Sequence, residues 1–78
     1  MKPLTETEQN KLYIISDIIG GNFFKKKVEL MGIRPNVEIK KISSITEKGP
    51  VIIELTSANC QIAIGHRMAK KIFVKEKS

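Results

Sequence analysis

Apolar positions in this chain recur with two different periods, and the switches between them divide the sequence into elements. Residues 1–10 are polar apart from Leu4 and read as a lead-in, with Leu4 as an anchor onto whatever follows. Lys11–Ile19 is rich in Ile, with Leu12 and Tyr13, and β-branched and aromatic residues of this kind favour a strand. Gly20-Gly21 then permits positive φ and a sharp change of direction. Asn22 is placed to cap a helix by offering its side-chain oxygen to an orphan amide. Residues 23–31 read as that helix, because Phe24, Val28 and Met31 share a face at the i, i+4, i+7 spacing. Phe23 and Leu30 flank the face, seven residues apart. Lys27 projects from the middle of the apolar arc, so either its methylene stem snorkels or the arc is only partly buried. Gly32 fits the left-handed position that ends a helix.

A period of two then returns. Arg34-Pro35-Asn36-Val37 has the chemistry of a type II turn, with Pro presetting φ and Asn tolerating the left-handed position. Val37–Ile45 alternates as a strand until the apolar phase shifts at Ile42 and Ile45, as a bulge makes it do. Thr46–Pro50, with Gly49, is a loop with a hydrophilic tip. Val51–Thr56 is the next strand, Ser57-Ala58-Asn59 a turn, and Cys60, Ile62 and Ile64 alternate with Gln61 and Ala63 to give another strand. Gly65–Lys71 suits a single helical turn, Ile72–Val74 a short closing strand, and Lys75–Ser78 a tail. The expectation is a mainly β fold: one domain over residues 1–78, a small barrel of about five strands with one inserted helix.

Composition sharpens this picture. The chain has 78 residues and no Trp, so a small interior must be built from Ile, Val and Leu. The net charge of +6 suits an acidic protein surface, a nucleic acid or an anionic membrane, and charge alone does not choose among them. Cys60 is the only cysteine, which fits a reducing compartment. Polar residues follow Met1, with no signal-peptide pattern, and no apolar run approaches the roughly 20 residues that span a bilayer. A cytoplasmic protein without direct membrane insertion is expected.

Candidate chemistry is sparse. Cys60 and His66 are the only soft metal ligands, whereas a structural zinc site wants four, usually in short-spaced pairs. They read as a small buried thiol and a surface imidazole, so no metal site and no cofactor is expected. His66 has no evident Ser–His–Asp partners, and Asp17 and the scattered Glu residues form no recognisable acid–base pair, which argues against an enzyme. Gly20-Gly21-Asn22 before a helix invites an anion, but the spacing and the Lys-Ser/Thr end of a P-loop are missing, and a tight turn accounts for the glycines.

The order of these blocks resembles the ferrous iron transport protein A (FeoA) family over about Leu4 to Val74. One block is Lys26-Lys27-Val28 leading to Leu30-Met31-Gly32-Ile33 and then Pro35-Asn36; another is Gly49-Pro50 before a strand. The last is Ile62-Ala63-Ile64, Ala69, Ile72 and Val74, while Ile15 and Ile18 match the apolar pair of the family's first strand. Asn10 and Asn36 stand where Gly is usual, and both residue types tolerate left-handed backbone. Thr7 replaces a usual Leu, and Gly65 a common Arg.

The resemblance implies an SH3-like barrel with a helix inserted after the first strand. It implies a non-enzymatic role in bacterial ferrous iron uptake, in which the transition metal ion is cargo. The implied partner is the FeoB-type membrane iron permease, through its cytoplasmic GTP-binding domain. Phe23, Lys25, Lys26, Lys27, Arg34 and Lys40 are then the candidate partner-binding residues, around a groove between the Gly20–Lys27 segment and the Val37–Ile45 strand. A lysine run is more often a solvated face. Phe23 and Phe24, adjacent at a helix start, cannot face the same way: one is an exposed anchor, or both reach the interior of a thin domain. Two other readings are a nucleic-acid-binding small barrel and a stand-alone relative of the C-terminal domain of metal-dependent repressors. Nucleic-acid-binding barrels add aromatic platforms on strands, which this chain lacks, so no nucleic acid is expected.

Overall fold

A computed structural model describes residues 1–44 and 48–77. Six strands form one antiparallel sheet in the order β1-β6-β2-β3-β4-β5. They are β1 (Lys2–Pro3), β2 (Leu12–Ile18), β3 (Glu38–Ser44), β4 (Val51–Leu55), β5 (Cys60–Ile64) and β6 (Ile72–Glu76). Helix α1 (Asn22–Leu30) connects β2 to β3, and the short helix α2 (His66–Ala69) connects β5 to β6.

Alternation decides which side chains go inside. Tyr13 and Ile15 of β2, Ile39 of β3, Val51, Ile53 and Leu55 of β4, and Ile72 and Val74 of β6 are buried on one face. Two bulges reset the phase. Ser16 has no partner on β6 between the Ile15↔Val74 and Asp17↔Phe73 pairs, and this lets Ile18 turn inward as well. Ile42 has none on β4 between Lys41↔Ile53 and Ser43↔Ile52. The phase shift read at Ile42 is thus a bulge, while Ile45 and the loop residues Thr46 and Glu47 lie outside the described residues.

Two expectations need correction. Residues 1–10 are more than a lead-in anchored by Leu4. Lys2 and Pro3 pair with Val74 and Phe73, and Leu4–Glu6 form a 3-10 turn. Leu4 is fully buried, so the apolar anchor draws the preceding residues onto the sheet and adds a sixth strand. Asn22 is not the helix cap. Gly20 reverses the chain at φ +149°, and Gly21, at φ −72° and ψ 169°, takes the flanking position, its carbonyl accepting from Lys25 N–H at 3.0 Å. No side chain caps the helix, and Asn22 is its first residue. Of the two glycines only Gly20 has positive φ, and a Cβ there would sit 2.8 Å from Phe24 Cδ2.

The other turns follow the sequence. Gly32 has φ +92°, with its N–H bonded to Glu29 O and that of Ile33 to Val28 O, the paired bonds of a Schellman motif. Val37 N–H closes on Arg34 O at 3.2 Å with Asn36 at φ 73°. Asn10, at φ 65°, donates to Lys41 O at 2.7 Å, and Glu8 N–H donates to the hydroxyl of buried Tyr13 at 2.8 Å.

Candidate functional site

Helix α1 divides its residues between two sides. Val28 is buried, and Phe24 and Met31 pack against the interior beside it. The Phe24 ring is held from outside by Lys71, whose Nζ lies 5.1 Å from the ring centroid, within the range of a cation–π contact. The other side carries Phe23 and Leu30, 88% and 81% exposed, with Lys26 and Lys27. The arc is therefore partly buried, and the two flanking apolar residues fall outside it. Of the two phenylalanines one is exposed and one half-buried.

Two hollows adjoin the helix. One, about 350 Å³, lies between α1, the end of β2 and the turn that enters β3; its lining includes Asp17, Lys25, Glu29 and Arg34 over Ile18 and Ile33. Its apolar floor is thus rimmed by two carboxylates and two cations. The second, about 250 Å³, is a shallow depression on the outward side of α1 between Phe23, Lys26, Lys27 and Leu30. Among the described residues the ion pairs are Lys11 with Glu8 and Glu76, and Lys77 with Glu38; none involves α1 or Arg34. Among the described residues the cations around both hollows thus have no ion-pair partner, while Asp17 Oδ1 accepts from Ile18 N–H at 2.8 Å.

Five of the six candidate binding residues meet here: Lys25 and Arg34 at the first hollow, Phe23, Lys26 and Lys27 at the second. Lys40 lies apart on β3, paired with Leu12 and Glu54. The first hollow abuts the Arg34–Pro35 turn rather than the β3 strand itself. Asp17 and Glu29 were not anticipated as rim residues. Only the spacing Lys25 to Glu29, one turn apart on a helix, hinted at the latter. Cys60, expected as a buried thiol, is instead exposed at the start of β5, an outermost strand of the sheet, and His66 is half-buried at the start of α2. Among the described residues no group of three or more His, Cys, Asp and Glu side chains is placed to hold a metal.

Among the described residues Lys41 is the one charged residue in the interior, 3% exposed. It alternates with Ile39 on the inward side of β3, and its ammonium donates to Thr7 O at 3.0 Å and Thr7 Oγ1 at 2.9 Å. Thr7 Oγ1 in turn donates to Leu4 O at 2.7 Å. Burial pushes the Lys41 pKa down. At the surface, hydrogen bonding to Lys11 lowers the Glu8 pKa, and Lys77, then Thr56, lowers that of Glu38.

A six-stranded antiparallel sheet with a helix inserted between β2 and β3, and a basic, partly apolar face on that helix, defines a small SH3-like β domain. The chain belongs to the FeoA domain family, whose pattern matches residues 2–76. It is similar to the crystal structure of an iron uptake regulatory protein (FeoA), with 29% identity and a TM-score of 0.84 over 97% of this chain and 96% of that one. It is similar to the solution structure of a FeoA-like protein from Clostridium acetobutylicum, at 21% identity and TM-score 0.81, over 96% of this chain and 85% of the other. A manganese-dependent transcriptional repressor in complex with manganese shares the fold at TM-score 0.88 and 13% identity, over 97% of this chain but 36% of the repressor. No curated protein matches the chain by sequence. Among the described residues no helix is long and apolar enough to cross a membrane.

Proposed function

We propose that this chain is a non-enzymatic accessory protein of bacterial ferrous iron uptake. In this reading it works in the cytoplasm by binding the cytoplasmic part of a FeoB-type iron permease. Family membership over residues 2–76 supports the pathway. The observation that carries the binding role is the surface of α1 and the adjoining turn. Phe23, 88% exposed, stands beside Lys26 and Lys27, with Lys25 and Arg34 at the adjoining hollow, and none of these cations is paired within the chain among the described residues. An aromatic anchor beside unpaired cations suits an acidic protein surface with an apolar pocket. Such a module acts on its partner only by binding one conformation of it more tightly than another.

The exposed groups weigh against the nucleic-acid reading. Tyr13 is fully buried, and Phe24 and Phe73 are half-buried, which leaves Phe23 on a helix as the exposed aromatic ring. A stacking platform needs several rings along a strand surface.

The test is direct titration of the purified chain with the cytoplasmic domain of the permease at physiological salt. Binding is expected, and the double variant K25E/R34E should weaken it by about tenfold or more, in part through slower association that salt reduces further. Absence of any interaction with the native chain would remove the reading.

A further inference from the structure

The outward side of α1 carries more information than a generic basic patch. Phe23, Lys26, Lys27 and Leu30 occupy positions i, i+3, i+4 and i+7, which lie on one face of a helix. The apolar pair stands at the two ends of this face, separated by about 10.5 Å along the axis. The two ammonium groups stand between them. We infer that the outward face of α1 is the seat of an acidic amphipathic helix of a partner, one that presents an apolar residue, an acidic pair and an apolar residue at i, i+3, i+4 and i+7.

Charge and order select this occupant. The lysines fall in the middle of the face, so the complementary surface must bring carboxylates to its centre and apolar groups to its ends. A second copy of this chain brings Lys26 and Lys27 again and places like charges opposite each other. An anionic bilayer favours the reverse order, with the apolar residues central and sunk between headgroups and the lysines at the margins. The i, i+3, i+4, i+7 set reads the same in both directions, so the seat accepts the partner helix in either sense. No ion pair within the chain occupies either lysine among the described residues, so none has to be broken for the carboxylates to enter. The inference rests on reading the chain as a partner-binding module, but not on which protein the partner is.

All four side chains are exposed, so substitutions there leave the interior intact and every variant can be checked for an unchanged unfolding midpoint. The probe is a capped synthetic helical peptide carrying Leu-x-x-Glu-Glu-x-x-Leu on one face. The control has the same composition with the Leu and Glu positions exchanged. Binding of the first peptide is expected, with the control about tenfold weaker or worse. F23A/L30A and K26E/K27E should each reduce binding about tenfold. K26E/K27E should recover affinity for a peptide in which Lys replaces both Glu residues. Equal binding of the two acidic peptides, or no loss in the variants, overturns the inference by reducing the face to undirected charge. Adsorption to phosphatidylserine-containing vesicles that depends on Phe23 and Leu30, together with no peptide selectivity, overturns it in favour of a lipid surface. Peptide selectivity without binding to the permease domain upholds the seat and removes the proposed partner; permease binding without peptide selectivity does the opposite.

Discussion

At Gly32 the backbone sits at φ +92°, and a Cβ built there would lie 2.9 Å from Leu55 Cδ1. Both facts penalise any side chain: the left-handed conformation itself and the overlap with β4. Gly32→Ala should therefore lower stability by about 1–2 kcal/mol, read as a shift in the urea midpoint at unchanged m-value. Lys41 gives the opposite kind of signature. Its folded pKa is depressed below 10.5, so between those two values the unfolded chain binds more protons than the folded one. Stability must then rise with pH through that interval as the buried ammonium is relieved of its proton. Urea midpoints measured from neutral pH up to 10.5 should show this rise in the native chain and a flatter profile in Lys41→Met. Lys41 was not legible as an interior residue. It occupies an inward slot by parity with Ile39, but the acceptors that make the slot tolerable belong to Thr7, 34 residues away in the chain.

The elements were legible where local chemistry settles them. Glycine and asparagine at Asn10, Gly20, Gly32, Asn36 and Asn59 carry the positive φ values, and Pro35 carries the turn before β3. The sequence misplaces the start of α1 by one residue because a Gly-Gly pair reads as a single turn, whereas Gly20 alone makes it and Gly21 opens the helix. With no capping bond from its side chain, Asn22→Ala should change stability by less than about 0.5 kcal/mol, where loss of a working cap costs about 1. A thermal midpoint within about 2 °C of the native chain would agree with this, and a drop of several degrees would restore Asn22 as the cap. Strand β1 escaped the sequence reading for a different reason: two residues are too few to show a period. Of the candidate site, the α1 residues were legible from residue type and helical spacing. Asp17 and Arg34 were not legible as neighbours, because elements separated in sequence converge on the first hollow only after β2 and β3 have paired.

On the scale of the molecule, Leu4 closes one end of the interior and is itself sealed there by three groups. The β1–β6 ladder holds the segment before it, the 3-10 turn bends around it, and the Lys41–Thr7 hydrogen bonds cover the segment after it. In a chain of 78 residues the reserve of stability is small, and the removal of one buried aliphatic side chain is a large part of it. Leu4→Ala should cost about 2–5 kcal/mol, far more than its position near the chain start suggests. Equilibrium denaturation measures this directly, and a cost under about 1 kcal/mol would mean that the first residues do not belong to the cooperative unit.

The separation of α1 into a side that packs and a side that does not has a bearing on how such a protein changes over generations. Phe24, Val28 and Met31 answer to the interior, whereas Phe23, Lys26, Lys27 and Leu30 are exposed and no ion pair among the described residues holds the lysines. If this face seats a partner helix as proposed, four codons can drift together with a counterpart on another protein while the scaffold beneath stays as it is. On that proposal, lineages that share this barrel are free to diverge in what they recognise long before they diverge in shape.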